Sequence, residues 1–133
     1  MSQADVETLR ALATTVAEGD ATAWLRAMDP AVRVYPRSEE PGVRAVYDGW
    51  DGVMEYMVNW YSQWEDYEVE PLEFLDAGDQ VLVVIQERGR MDREGLNVTQ
   101  EFSHSFKLRE GLVVEWRMYD SHEQALEAVG LSE

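Results

Sequence analysis

Two side chains near the end of the chain have the types and the placement for proton chemistry: His104 in FSHSF and Asp120 in WRMYD. An imidazole can carry a proton near neutral pH or polarise a carbonyl oxygen, and a carboxylate can take up the proton that this polarisation loosens. Alternation along a strand places His104 between Phe102 and Phe106 on one face, and places Asp120 on the same face as Trp116 and Met118. A lone ring among phenylalanines needs a hydrogen-bond partner, so a core histidine bonded to a neighbour is the alternative reading of His104. His122, in the first turn of a helical tail, reads as a solvent residue. Glu87 and Tyr35 are weaker inward candidates, because their strands are apolar on both sides or too short to phase.

The hairpin FKLREGLVVEW sets how far apart the two groups stand. A two-residue loop would oppose Leu108 to Val113 and misalign the apolar faces. A three-residue loop, with Gly111 in the left-handed region, pairs Leu108 with Leu112 and is the predicted register. His104 then lies opposite Trp116, and Asp120 opposite Gln100. The axial offset between His104 and Asp120 is about 13 Å at strand rise, too long for a hydrogen-bonded dyad. Both would touch one ligand only if it had the length of a fused-ring system.

The elements that must position these groups follow from periodicity. Val6, Leu9, Ala13 and Val16 recur at helical spacing, with Gly19 as a stop and Asp20 as the cap of a short second helix carrying Trp24, Leu25 and Met28. A short strand, AVRVYP, leads to a polar loop with turn signals at Pro41-Gly42 and Asp48-Gly49. In WDGVMEYMVNWYSQWEDY, Trp50, Met54, Met57, Tyr61 and Trp64 fall at steps of four, three, four and three, one stripe of a long helix capped near Asp51. The period then becomes two: one pair of strands turns around Ala77-Gly78-Asp79 and a second pair at Arg109-Glu110-Gly111, with RGRMDREG as the hairpin loop between the pairs. The tail SHEQALEAVGL is a short helix with Ser121 and Gln124 in capping-box positions. The whole predicts an α+β cone, a strongly curved antiparallel sheet wrapped around three helices with a short C-terminal helix, as one domain over residues 1–133.

Large rings on a helix above a curved sheet serve as core and as pocket wall. Ligand contacts are expected from Trp24, Tyr35, Met57, Tyr61, Trp64, Phe102, Phe106 and Trp116.

Composition excludes several classes of partner. Twenty-seven acidic against eleven basic residues give a net charge of −16, which disfavours nucleic acid and anionic lipid surfaces. The absence of cysteine excludes disulfides and zinc-thiolate sites and suits a reducing cytoplasm. No apolar run approaches the length of a membrane span, and the stripe-bearing helix lacks the basic flank of a membrane-surface helix. No metal-ligand spacing, phosphate loop or dinucleotide fingerprint is present, and no cofactor is called for. The segment VLVVI, residues 81 to 85, is apolar on both faces, so a cover over the outer side is expected, and a homodimer would supply it.

The segments DAGDQVLVVIQERGR, FSHSFKLREGLVVEW and Y-x-x-x-E-Q-A-L-E-A-V-G-L, with Y-x-G-W-x-G-V at the entry to the long helix, resemble the nuclear-transport-factor-2-like superfamily in its SnoaL-like, polyketide-cyclase-like branch. The resemblance implies a pocket between the concave sheet and the long helix. It also implies binding of a small hydrophobic ligand, with cofactor-free proton transfer next to a carbonyl as in an isomerase or cyclase, or a non-catalytic binding domain of the same fold. The W-x-x-x-D ending makes Asp120 the acid/base residue by resemblance; an alignment through the A-L-E-A-x-G-L tail sets Ser121 there instead. The Arg-and-two-Asp arrangement of the epoxide-hydrolase branch is not identifiable, with Arg117 on the outward face.

Overall fold

The hydrophobic period shortens from helical to alternating near Trp64, and the architecture changes at the same place. In a computed structural model that describes residues 2–17, 21–37, 44–91 and 96–131, α1 (Ser2–Ala17), α2 (Ala21–Arg26) and α3 (Gly49–Tyr61) precede that point. β1 (Met28–Tyr35) and the two-residue β2 (Tyr47–Asp48) lie among them. β3 (Trp64–Asp76), β4 (Val81–Met91), β5 (Leu96–Arg109), β6 (Leu112–Met118) and α4 (His122–Ala128) follow. The strands form one curved, unclosed sheet in the order β2-β1-β6-β5-β4-β3, the α+β cone expected. Every neighbouring pair is antiparallel except β1 with β6, which run parallel. The predicted signals at Gly19, Asp20 and Pro41-Gly42, and the turn at 92–95, lie outside the described residues.

The long helix is shorter than predicted and rotated. It ends at Tyr61, and Trp64 opens β3. Val53 and Tyr56 are buried with Met57 and Trp60 packed beside them, whereas Trp50 and Met54 of the predicted stripe are exposed. Two apolar stripes, one residue out of phase, were available in this sequence, and the buried one carries Gly52 against β2. Gly52 lies so close to β2 that a Cβ built on it would sit 3.0 Å from the Tyr47 carbonyl carbon and 3.3 Å from its Cα. Trp50, on the outside, is tied by its Nε1, which donates to the Met28 carbonyl at 2.9 Å.

Gly52→Ala therefore tests what sets the phase. Helix propensity favours alanine by about 1 kcal/mol, but crowding against backbone costs about 1–3 kcal/mol. The obstacle is the main chain of a buried Tyr47, beside an Asp48 paired to Arg33 at 3.0 Å. A net loss of about 1 kcal/mol is expected in urea unfolding; a variant more stable than wild type would show that α3 can back away.

The final hairpin also departs from prediction. Arg109 pairs with Leu112 and Leu108 with Val113, the two-residue loop that misaligns the apolar faces. Positive φ at both Glu110 (53°) and Gly111 (82°) fits a type I′ turn, whose twist suits two strands. The misalignment is corrected one step later. Lys107 pairs with Glu115, so Val114 is an extra residue in a β-bulge, and beyond it Phe106 meets Trp116 and His104 meets Met118. Trp116 and Met118 thus keep the inward face predicted for them but shift by two residues against β5. Asp120 falls beyond the end of β6 and is exposed.

The outer side of VLVVI is covered from within the chain. Leu82 is fully buried in a small cluster with Ala125 and Val129 of α4, with Leu75, Tyr119 and Leu126 packed against it. α4 is held there by its predicted cap, the Ser121 hydroxyl accepting from the Gln124 amide at 3.1 Å, and by the Ser103 hydroxyl 2.6 Å from His122 Nδ1. Leu82 and Val84, on the outer side of this strand, are therefore buried without a second copy of the chain.

Candidate functional site

The concave side of the sheet and the helices above it leave a partly enclosed cavity with about 820 Å³ of atom-free space, its open mouth included. Leu9 and Ala13 of α1, Trp24 of α2 and Tyr56, Met57, Trp60 and Tyr61 of α3 form its roof. Alternation brings Val83, Ile85 and Glu87 of β4, His104 and Phe106 of β5 and Trp116 of β6 to its floor. Tyr67, Val69, Pro71 and Phe74 of β3 close one side. Tyr61 is also 38% exposed, which sets it at the opening.

Two short hydrogen-bonded chains carry the polarity of this apolar lining. Trp60 Nε1 donates to the Tyr67 hydroxyl at 3.1 Å, and that hydroxyl donates to Glu87 Oε2. Across the floor Trp116 Nε1 donates to His104 Nδ1 at 3.1 Å. Because Nδ1 accepts, a neutral His104 carries its proton on Nε2, as a donor. Burial, aided by the positive charge of Arg37, pushes the His104 pKa down to about 3, so the imidazole is neutral at physiological pH. Burial and then the charge of Glu87 push the phenols of Tyr61 and Tyr67 upward, which keeps both protonated. The arrangement offers one carboxylate with a phenol on it and one neutral imidazole, in a medium that strengthens electrostatic effects.

Of the predicted site residues, Trp24, Met57, Tyr61, His104, Phe106 and Trp116 line the cavity. Four lie elsewhere. Asp120 is exposed because β6 ends at Met118, two residues before it, and Ser121 already caps α4. Trp64 is buried against Trp60 and Tyr67 behind the wall, since the helix stops before it. Phe102 shares the face of His104, but the Arg37 guanidinium lies over its ring at 3.4 Å. Tyr35 is at the outer face under Arg117, 4.0 Å from ring centroid to guanidinium, because β1 pairs Tyr35 with Arg117 in parallel register.

Glu87 and Tyr67 carry more of the site than sequence reasoning gave them. For Glu87 the signal was the set Val81, Val83, Ile85, Glu87, an apolar face ending in a carboxylate; which face turned inward was settled by pairing Val83 with His104. Tyr67 had no such signal, because it follows Asp66, a residue of positive φ (53°), in an irregular stretch of β3 between the paired positions Glu65 and Glu68. Among the described residues no group of three or more His, Asp or Glu side chains could hold a metal ion.

A family model described as the SnoaL-like domain matches residues 9–116. The chain belongs to the SnoaL-like domain family. No curated protein matches it. Among solved structures, this SnoaL-like domain is similar to TerC co-crystallised with polyporic acid, with a TM-score of 0.77 and 20% identity over 95% of this chain and 98% of that one. A protein from Jannaschia sp. CCS1 described as a SnoaL-like polyketide cyclase aligns with a TM-score of 0.76 and 20% identity, over 99% and 94% of the two chains. A protein of ketosteroid isomerase-like fold from Catenulispora acidiphila DSM 44928, in complex with trimethylamine, aligns at 0.71 and 15% identity, over 95% and 94%. At these identities the likeness speaks for the fold alone, and one fold of this kind serves many chemistries.

Proposed function

We propose that this SnoaL-like domain binds a small hydrophobic ligand in the cavity and transfers a proton next to a carbonyl group on it, without a cofactor. The observation that carries the reading is a single carboxylate, Glu87, hydrogen-bonded by Tyr67 in the wall of an aromatic cavity whose floor holds a neutral histidine. Glu87 takes the proton, with Tyr67 bridging it to the ligand space, and the His104 Nε2–H donates to the carbonyl oxygen as it gains negative charge. Ketosteroid isomerase, a worked case of this division of labour, pairs a carboxylate base with hydrogen-bond donors to an enolate. Two proteins of this fold, one co-crystallised with polyporic acid and one in complex with trimethylamine, lend support to a small-molecule reading.

A binding domain without turnover is the second reading. It is favoured by the partners that His104 and Glu87 already have in the wall, Trp116 and Tyr67, which would serve a static core equally well. Thermal-shift screening of apolar ketones should first find ligands, and exchange of the hydrogens next to the carbonyl in heavy water, followed by NMR, then separates the readings. Glu87→Gln should slow that exchange by at least about a hundredfold while binding persists. His104→Gln should slow it less, since an amide donor remains, and Asp120→Asn should leave it unchanged. Bound ketone with no enzyme-dependent exchange would leave only the binding reading; full exchange in Glu87→Gln would exclude Glu87 as the base.

A further inference from the structure

We infer that Trp60 is a positioning residue of the proposed proton transfer and that it acts through Tyr67. This rests on the reading of Glu87 as the base and adds what directs the proton toward it. An indole N–H donates a hydrogen bond and cannot accept one, so it fixes the direction of any chain that starts from it. Trp60 Nε1 donates to the Tyr67 hydroxyl oxygen at 3.1 Å, and the phenol proton then goes to Glu87 Oε2. The reverse arrangement, with a protonated Glu87 donating to the phenol oxygen, is disfavoured because that oxygen already receives a donor. Trp116 stands in the same relation to His104, where its N–H occupies Nδ1 and leaves the proton on Nε2. Both polar chains of the cavity thus begin at a donor-only indole.

The packing holds Trp60 in place for this. The rotated phase of α3 sets it against the core, with the Trp64 ring 5.6 Å and the Arg37 guanidinium 5.5 Å from its centroid. Its plane stands at 84° to that of Tyr67, 6.5 Å away. Tyr67 lies in the irregular stretch of β3 between Glu65 and Glu68, so the two side-chain bonds anchor its hydroxyl where strand pairing does not. Burial, then the charge and hydrogen bond of Glu87, make the phenol harder to ionise, and the bond from Trp60 works in the opposite direction. Trp60 therefore makes Tyr67 the better donor to Glu87, and the two bonds strengthen each other. In the transfer itself the ligand C–H bond breaks as its proton reaches the Tyr67 oxygen, and the former hydroxyl proton passes to Glu87 Oε2. The electron pair stays on the ligand as an enolate, whose oxygen takes the bond from His104 Nε2–H. While the proton moves, the Tyr67 oxygen gains negative charge, and the Trp60 N–H already points at it.

The test replaces Trp60 in the full chain by benzothienylalanine, which keeps the bicyclic shape but has sulfur in place of the N–H, and separately makes Trp60→Phe. α-Tetralone, an apolar ketone of fused rings, is the probe; calorimetry measures its affinity, and NMR in heavy water follows exchange of the hydrogens next to its carbonyl. Loss of the N–H should slow exchange by about three- to tenfold, the worth of one hydrogen bond, with affinity kept within about twofold. A side chain that only fills space would not give that split between rate and affinity. An unchanged rate with benzothienylalanine, or a loss of affinity that matches the loss of rate, would overturn the role of Trp60 while leaving Glu87 as the base. Slowing in Trp60→Phe alone would overturn it as well, since ring shape would then be what counts. If the benzothienylalanine chain does not fold, Trp60→Phe decides by the same split. A wild type that does not bind α-tetralone, or binds it without exchange, would sink the reading of Glu87 as the base and the role of Trp60 together, which separates the two failures.

Discussion

Lowering the pH from 7 to 5 should destabilise this SnoaL-like domain by about 2 kcal/mol through His104 alone. In the folded protein burial and the charge of Arg37 hold its pKa at about 3, while an unfolded chain protonates an imidazole at about 6.5. Between those values the unfolded state binds more protons, so stability falls as pH falls. The contribution is present in full above about pH 6.5, and the cumulative loss by pH 3 is on the order of 4 kcal/mol. Stopping at pH 5 keeps most ordinary carboxylates ionised, so the histidine dominates the change. Urea unfolding of wild type and His104→Gln at pH 7 and pH 5 isolates it, because the glutamine can accept from Trp116 Nε1 but does not titrate, and His122 is common to both proteins. Parallel pH dependences in the two would show that His104 is not held neutral by the fold.

Trp116→Ala should cost about 3–5 kcal/mol, the range for removing a buried aromatic ring. Trp116 is stacked on Phe106 at an interplanar angle of 19° and takes the edges of Trp24 and Tyr56, so deletion leaves several rings without a neighbour. It also removes the indole N–H from His104 Nδ1, leaving a buried acceptor without its donor, at about 1–3 kcal/mol if water does not replace it. Trp116→Phe should be far milder, because a ring remains and only the hydrogen bond and part of the volume are lost. Denaturant unfolding measures both. A loss below about 1 kcal/mol in Trp116→Ala would mean that Trp116 is a pliable pocket wall rather than part of the core.

What the sequence by itself determined is the set of elements and the class of fold. Helical spacing in the first third, alternation after Trp64 and turn residues at Gly78 and Gly111 are local signals, and local signals specify elements. His104 was legible as an inward polar residue for the same reason, since Phe102 and Phe106 flank it on one face of a strand. Tertiary structure decided the questions of phase that the local pattern left open. Both faces of α3 are apolar enough to be buried, and the one that is buried carries Gly52 in close approach to Tyr47. The β5–β6 register depended on a bulge at Val114, an insertion that aligns the apolar faces behind a two-residue loop, and the placement of Asp120 depended on where β6 gives way to the cap of α4. Glu87 was hidden because VLVVI is apolar on both sides: one face is covered by α4 and the other lines the cavity, and no pattern within a strand says which is which. Alternation labels the two faces of a strand as different; it takes the neighbouring strands and helices to say which of them is inside.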